Sequence, residues 1–548
     1  MHKMQIGIDN TAKKCYNKIY RCIGDIEKEI GMKKLLRGML CACISLALTF
    51  IFVGCNKTPS QTVPPPPNSE TVTPEKPDNK PDDKPEQELG IEDFKLPQKL
   101  ATINIVTDDG QDVTGDIDNQ EYKGCAVTVK DGREGENFSA ACAQVRIRGN
   151  NTAEFPKKSF RLKFDVKLNL LGLNEGAKCK NWVLLACYKD VTFLRDAVAF
   201  ELGRQTLAEN GYYCSDFSYA EVCINGKYNG MYMVAEQQQV NKNRININEP
   251  EEGYTGTDIG YLVEYDGNAP RTEEREKWFQ LIYKNYPLTC EDGSQFTPGQ
   301  YRGAGFAYYT VKNDFYSTNQ TTFIKNYTEN VFKIIYDALY NDKFTTFNSY
   351  YTAIIDSEFT DSRQTIEAIM NVDSLVDTVI MSEVLCDNDI DFSSFFFTLD
   401  MGAGGDKKLT FQAPWDFDSG LGVMRGLERL DKIFSANVCT NAMQALNPWT
   451  AIMFKADWFR QEVAKRWAQL HEKGVFARLV TLVEKVTETY EPYFEKNYER
   501  WDNLGKIVDT VQGDAVATFK THADASAFLK EWLTHRIEFL TGYFAKIS

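Results

Sequence analysis

Histidine is scarce in this 548-residue chain: there are four, and beyond His2 only His471, His522 and His535, all near the C-terminus. That argues against a Ser-His-Asp or Cys-His nucleophile and against a histidine-rich zinc centre, each of which needs an imidazole beside the reacting group or metal. No G-x-x-x-x-G-K-[ST] run and no G-x-G-x-x-G is present, which removes the P-loop and dinucleotide-binding motifs. Fourteen cysteines include no C-x-x-C and no zinc-type Cys/His spacing. Positive charge is in deficit, 62 Lys+Arg against 77 Asp+Glu for a net −15. So acidic a chain is a poor nonspecific binder of DNA or RNA, and no nucleic-acid partner is expected. Long apolar runs are missing but for one, and mean hydropathy is −0.40, which excludes a polytopic membrane protein. Core material is not lacking: 43% of residues are hydrophobic and 13% aromatic. At ~100–200 residues per domain the length allows two to four domains.

The one apolar run lies near the N-terminus. Lys33, Lys34 and Arg37 precede an apolar stretch from Met39 to Val53, and Gly54 stands before Cys55. This is the layout of an export signal, and Phe52-Val53-Gly54-Cys55 resembles a bacterial lipobox. The expectation is an extracytoplasmic protein, lipid-anchored to a bacterial membrane at the cell surface through Cys55; an uncleaved anchor is the alternative. Met32 is a more natural start than Met1. Residues 56–90 hold nine of the 18 prolines. Such a stretch buries little and stays extended, so it reads as a tether. Nine cysteines follow Cys55; Cys125–Cys142 and Cys214–Cys223 are candidate bridges between neighbouring strands, with buried reduced thiols as the alternative.

From residue 97 period-two alternation takes over. Strands are expected at Ala101–Val106, Cys125–Val129, Ala143–Arg148, Ser159–Phe164, Tyr219–Ile224, Met231–Ala235 and Tyr261–Tyr265, with a short apolar run at Val183–Cys187. One helix is expected over Asp190–Arg204. Later, 3.6-residue periodicity predicts helices over Thr321–Tyr340, Val372–Leu385, Trp458–Leu470, Val475–Phe494 and Ala525–Lys546. A small hairpin, Phe395–Leu399 and Leu409–Gln412, interrupts them. The fold class is α+β, with the plan of a two-lobed kinase: a β-rich N-terminal lobe and a mainly helical C-terminal lobe. The divisions are 1–55 (extension and signal), 56–95 (tether), 96–265 (β-rich nucleotide-binding lobe) and 266–548 (helical catalytic lobe).

Two constellations carry chemistry. Asp387-Asn388-Asp389-Ile390-Asp391 follows the helix ending at Leu385, and Pro414-Trp415-Asp416-Phe417-Asp418 follows the hairpin. Phosphoryl transfer needs one carboxylate to take the acceptor hydroxyl's proton and another to hold a divalent cation on the phosphates. Asp389 with Ser394 echoes the D-x-x-x-x-N spacing of a kinase catalytic loop, and Asp416-Phe417 the D-F of its metal loop. Asp also closes turns and caps helices routinely, the plainer reading of Asp391 and Asp418. The second constellation is cationic: Arg146, Arg148, Lys157, Lys158, Arg161 and Lys163 crowd a Gly149-Asn150 turn between two strands. Cations and turn amides suit a triphosphate. Paired acids with Trp415, Trp449, Trp458 and Trp467 could alternatively serve carbohydrate chemistry.

Taken in order, Arg148-Gly149-Asn150, Pro156-Lys157-Lys158, Arg161-Leu162-Lys163, Trp182 to Ala186, Leu194-Arg195-Asp196, Asn225-Gly226, Gly230-Met231-Tyr232, Glu236-Gln237 and Pro414 to Asp418 resemble the CotH kinase family. The resemblance runs from Leu96 to the C-terminus. It implies an atypical protein kinase that transfers the ATP γ-phosphoryl group to Ser/Thr of a surface or coat protein, with Mg²⁺ or Mn²⁺. It makes Asp389 the catalytic-loop aspartate and Asp416 the metal ligand, with Ser394 and Asp418 as further metal ligands. Arg148, Arg161 and either Lys158 or Lys163 would bind phosphate, and Glu236 is the acid of the β lobe. The family commonly has Asn where this chain has Ser394, and a hydroxyl is the weaker metal ligand. The competing expectations are a weakly active or inactive adhesion or carbohydrate-associated module, and a metal-dependent nucleotide-sugar transferase.

Overall fold

Alternating apolar residues in the first third of the described chain do form strands, and the strands close on themselves. The computed structural model describes residues 89–115, 120–296, 306–438 and 446–547. The chain divides into two units, Met1–Pro85 and Glu86–Ser548. All that follows concerns the second; the signal, Cys55, most of the tether and Cys439 lie outside the described residues.

Seven strands make a closed barrel: β1 (Ala101–Thr107), β2 (Lys123–Lys130), β3 (Phe138–Arg148), β4 (Ser159–Leu168), β5 (Cys179–Leu185), β6 (Phe217–Ile224) and β7 (Lys227–Glu236), in the order β1-β2-β3-β4-β5-β7-β6. Neighbours are antiparallel except β1 and β6, whose parallel pairing (Ile103 opposite Val222) closes the ring. One residue of each alternating pair points inward, so Ile103, Ile105, Val145, Ile147, Leu162, Phe164, Trp182, Leu184, Val222 and Val234 fill the interior. Strands β5 to β7 are buried on both sides, because Val183, Phe217, Tyr219, Met231 and Met233 pack outward into the larger core. Helix α1 (Arg195–Gln205) lies between β5 and β6 in the chain and belongs to that core.

Strand β8 (Gly260–Tyr265) leaves the barrel. After the short α2 (Ala269–Thr272) come β9 (Trp278–Ile282), a small hairpin β10 (Leu288–Thr289) with β11 (Gln295–Phe296), and β12 (Phe306–Val311). Helix α3 (Thr318–Tyr340) is capped by Ser317, whose hydroxyl accepts the Gln320 amide. A second hairpin, β13 (Thr345–Phe347) with β14 (Ile354–Asp356), precedes α4 (Ser362–Glu367) and α5 (Val372–Leu385). The hairpin of β15 (Phe395–Asp400) and β16 (Thr410–Phe411) is no isolated insert: it joins a five-stranded sheet ordered β16-β15-β8-β12-β9. The β pattern therefore continues well past residue 265. The remainder is helical: α6 (Pro448–Phe454), α7 (Asp457–Glu472), α8 (Val475–Trp501) and α9 (His522–Phe544), the last opened by a capping box between Thr521 and Asp524. The outcome is a mixed α/β unit, β-rich first and helical last. No described helix is long and apolar enough to cross a membrane. Cys125, Cys142, Cys214 and Cys223 are free thiols, so of the two readings of these pairs the reduced one holds.

Candidate functional site

A cleft of about 940 Å³ lies between the turn end of the β3–β4 hairpin, the β5–α1 connection, the five-stranded sheet and the two acidic loops. It brings together both constellations.

The barrel supplies cations. Register pairing sets Arg146 opposite Arg161 and Arg148 opposite Ser159, so three guanidinium groups share the outward face near the hairpin's turn. All three line the cleft. The turn needs Gly149, whose φ of +106° and the Thr152 hydroxyl, 2.1 Å from where a Cβ would sit, leave no room for a side chain. Arg148 lies over the Trp415 ring, 5.4 Å from its centroid. Burial lowers its pKa, and the nearby Asp416 carboxylate opposes that shift.

The first acidic loop begins where α5 stops. Cys386 turns left-handed at φ 46° and ends the helix. Asp387 then caps a single helical turn, its Oδ1 accepting the Asp389 amide at 2.8 Å. The Asp389 carbonyl accepts from Phe392 and Ser393 at 2.8 and 2.7 Å, and Asn447 Nδ2 donates to the Ile390 carbonyl at 2.7 Å. The second loop follows β16. Asp416 has φ 68°, and the neighbouring Phe417 amide donates to Asp196 Oδ1 at 2.8 Å. Arg195 Nε donates to the Gly420 carbonyl at 3.0 Å while its Nη1 pairs with Asp190. The Leu421 amide donates to the Leu385 carbonyl at 2.6 Å, which ties the two acidic loops at their bases.

Burial and crowding of like charge set the electrostatics. Burial, with Asp416 beside it, pushes Asp389 up to about 7. Burial and Asp389 push Asp391 up to about 8. Asp387 and Asp196 are also held well above the ordinary carboxylate value, first by burial and then by neighbouring carboxylates. Asp416 is raised by burial and by Asp418. One ammonium sits among them: Lys189 Nζ is 2.7 Å from Asp418 Oδ1 and 2.6 Å from Ser419 Oγ. Burial disfavours its charge, but Asp418, Asp389 and Asp416 outweigh burial and hold its pKa above the ordinary lysine value.

Arg148, Arg161, Asp389, Ser394, Asp416 and Asp418 thus meet on one cleft. Lys158, Lys163 and Glu236 do not. Lys158 Nζ donates to the Ala153 carbonyl of its own turn at 2.6 Å, and Lys163 is exposed farther along β4. Glu236 is buried in an ion pair with Arg244 at 3.0 Å and accepts from Asn174. Of the lysines lining the cleft, the one paired with an acidic-loop carboxylate is Lys189, a residue the sequence reading did not name. Lys157 is a strut, its ammonium donating to the Ala186 and Met231 carbonyls and to Asn497 of α8, with burial lowering its pKa to about 7. Lys189 sits in a loop with no periodicity to mark it; its only sequence signal is a lysine next to Asp190 just before a helix.

Among the described residues no three His, Cys, Asp or Glu side chains form a ready-made metal cage. Ser394 Oγ donates to Asp416 Oδ2 at 3.4 Å, and Asp418 is taken by Lys189. The donor chemistry nevertheless suits Mg²⁺, which is commonly held by one or two carboxylates with substrate phosphates completing its shell. Asp387 Oδ2 is buried without a hydrogen-bond partner and belongs to a small cavity that Asp389 and Asp416 also line. A cation near Asp387, Asp389 and Asp416 would satisfy it.

A family model described as CotH kinase protein matches residues 145–540, more than two thirds of the chain. No curated protein matches. The chain belongs to the CotH kinase family.

Proposed function

We propose that this member of the CotH kinase family is an exported protein kinase that transfers the γ-phosphoryl group of ATP to Ser or Thr hydroxyls of a cell-surface or coat protein. The observation that supports it most is the meeting of Asp389 and Asp416 with Arg148, Arg161 and Lys189 around one cleft. Its volume is in the range of small-ligand sites. The cations of β3 and β4 are set to receive phosphate oxygens, and guanidinium groups do so in fork geometry.

In this reading Asp389 takes the proton from the acceptor hydroxyl. The hydroxyl oxygen bonds to the γ-phosphorus, the bond to the β–γ bridging oxygen breaks, and ADP leaves. A carboxylate pushed up to about 7 is a better base than an ordinary one and is still substantially ionised near neutral pH. Asp416, with Asp387 Oδ2, would hold Mg²⁺ or Mn²⁺, which supplies charge neutralisation on the phosphates. The Cys55 lipid and the proline-rich tether would hold the enzyme at a membrane surface.

The test incubates the purified protein with γ-labelled ATP and Mg²⁺ or Mn²⁺, beside Asp389→Asn and Asp416→Asn, and follows autophosphorylation and transfer to Ser-rich peptides. Loss of label by at least ~100-fold in both variants is expected, the scale of losing a transition-state contact. Equal labelling by wild type and both variants refutes the assignment. No label in folded wild-type protein turns the reading toward a binding module.

A further inference from the structure

The acidic end of the cleft already contains a cation of the protein's own. Asp387, Asp389, Asp416 and Asp418 converge there from two loops, with Asp196 behind them. Of the two cations nearby, Arg148 lies over Trp415, at the barrel edge. Lys189 reaches inward from the β5–α1 connection. It is 8% exposed and binds Asp418 Oδ1 and Ser419 Oγ.

Its backbone is fixed. The Lys189 carbonyl accepts from Gln512 Nε2 at 3.2 Å, and the adjoining Asp190 accepts the amides of Thr192 and Arg195 at 3.0 Å each. The ammonium is thus placed by folding.

Phosphoryl-transfer sites of the kinase type hold two divalent ions, each needing anionic or amide oxygens. Here the oxygens divide unequally. Asp418 Oδ1 is engaged by both the Lys189 ammonium and the Ser419 hydroxyl. Ser394 brings no charge and turns its hydroxyl to Asp416. Two buried oxygens of the first acidic loop lack a hydrogen-bond partner, Asp387 Oδ2 and Asp391 Oδ1, and of the two residues it is Asp387, 4% exposed, that lines the same small cavity as Asp389 and Asp416. The site therefore has room in its donor set for one ion on the Asp387–Asp416 side, next to Asp389, and an ammonium on the Asp418 side.

We infer that the Lys189 ammonium takes the place of a second divalent ion, so that this site binds one Mg²⁺ or Mn²⁺ with its nucleotide rather than two; the inference rests on the kinase reading above. Lys189 is a positioning residue: it neutralises Asp418 and fixes the second acidic loop without itself reacting. An ammonium bears one charge where an ion bears two and cannot exchange with solvent, so the site's occupancy on that side is independent of metal concentration.

The experiment counts Mn²⁺. Purified full-length protein is titrated with Mn²⁺ in saturating non-hydrolysable ATP analogue, and unbound Mn²⁺ is measured by electron paramagnetic resonance after correction for the free complex. Wild type is expected to bind one Mn²⁺ per chain, and so is Lys189→Arg. Lys189→Met, which keeps the length and removes the charge, is expected to bind two, the second appearing only with nucleotide. Two ions in wild type overturn the inference and leave the kinase reading standing. One ion in Lys189→Met with nucleotide affinity more than tenfold weaker also overturns it, because Lys189 is then a phosphate ligand. No nucleotide-dependent Mn²⁺ in folded wild type removes the kinase reading and the inference together. Thermal melts establish that each variant is folded, and the wild-type count decides even where Lys189→Met is not.

Discussion

The ion pair between Glu383 and Arg536 is the sharpest test of how the acidic loop is held. Both side chains are fully buried, at the junction of α5, α9 and the chain from Leu430 to Ser435. Arg536 Nη2 meets Glu383 Oε2 at 2.8 Å, its Nε donates to the Glu383 carbonyl at 2.7 Å, and its Nη1 donates to the Leu430 and Lys432 carbonyls at 2.8 Å each. Glu383 also accepts the Phe434 and Ser435 amides and the Ser435 hydroxyl. Removing one partner leaves a buried, uncompensated charge, a loss of about 3–5 kcal/mol; removing both charges in similar volume is far milder. Arg536→Met and Glu383→Gln should each lower unfolding free energy by about that amount. Independent effects would sum to about 6–10 kcal/mol in the double variant. The expected double-variant loss is instead about 2–4 kcal/mol, since the Gln amide still accepts from Ser435 and no charge is stranded. Urea unfolding of the four proteins followed by tryptophan fluorescence measures the cycle. A double variant equal to the sum of the singles refutes the argument, because the two groups then do not share one network.

Two further outcomes follow from groups already placed. Burial holds the pKa of His522 down to about 4, where its ring stacks on Phe494 and Nε2 meets the Thr192 carbonyl at 2.9 Å. The unfolded chain takes up that proton near pH 6.5, so between there and pH 4 the unfolded state binds more protons and stability falls as pH falls. The slope is about 1.4 kcal/mol per pH unit, or about 3 kcal/mol over the window. His522→Phe removes this contribution, so the gap between wild type and variant in urea melts at pH 7 should close by that amount at pH 4; a constant gap refutes it. In the cleft, Arg148→Ala and Arg161→Ala should weaken binding of a fluorescent ATP analogue by ~10–100-fold, the scale of a charge-assisted hydrogen bond. Lys158→Ala and Lys163→Ala should stay within about threefold, since neither lines the cleft, and losses at Lys163 matching those at Arg161 would put the phosphates on another face.

What the sequence makes legible is local. Alternation places β4 at Ser159 and puts Arg161 and Lys163 on one face, and helical spacing matches α5 at both ends, Val372 and Leu385. Alternation names a face and not a position along the barrel, so Lys163 reads as equivalent to Arg161 although only Arg161 lies near the hairpin's turn. It is equally silent on which sheet a strand joins: Tyr261–Tyr265 alternates like its predecessors yet sits at the centre of the other sheet, beside β15. The parallel β1–β6 contact that closes the barrel joins residues more than a hundred positions apart, and no pattern in either strand encodes it. The segments of β9 and β12 go unread, as does Lys189, which becomes visible only when the loop after β5 is folded against Asp418.

The backbone shows why distant ion pairs bear on the site. Seven of the eighteen described non-glycine residues with positive φ lie where the cleft loops begin and end: Cys187 and Phe193 after β5, Cys386 and Ser394 around the first acidic loop, and Ala413, Asp416 and Leu421 around the second. Each such residue stores of order 1–3 kcal/mol and persists only where surrounding contacts over-determine it. Those contacts are the ones already named: Arg195 holding Gly420, Asp196 holding Phe417, and Arg536 holding the end of α5 through Glu383. If Arg536 sustains the strained turn at Cys386, Arg536→Met must lose nucleotide affinity at temperatures where it is still folded, because Asp387 and Asp389 follow directly from that turn. An Arg536→Met protein that melts earlier yet binds nucleotide as wild type does would show that the Leu421 amide and the Asp387 cap hold the loop without it.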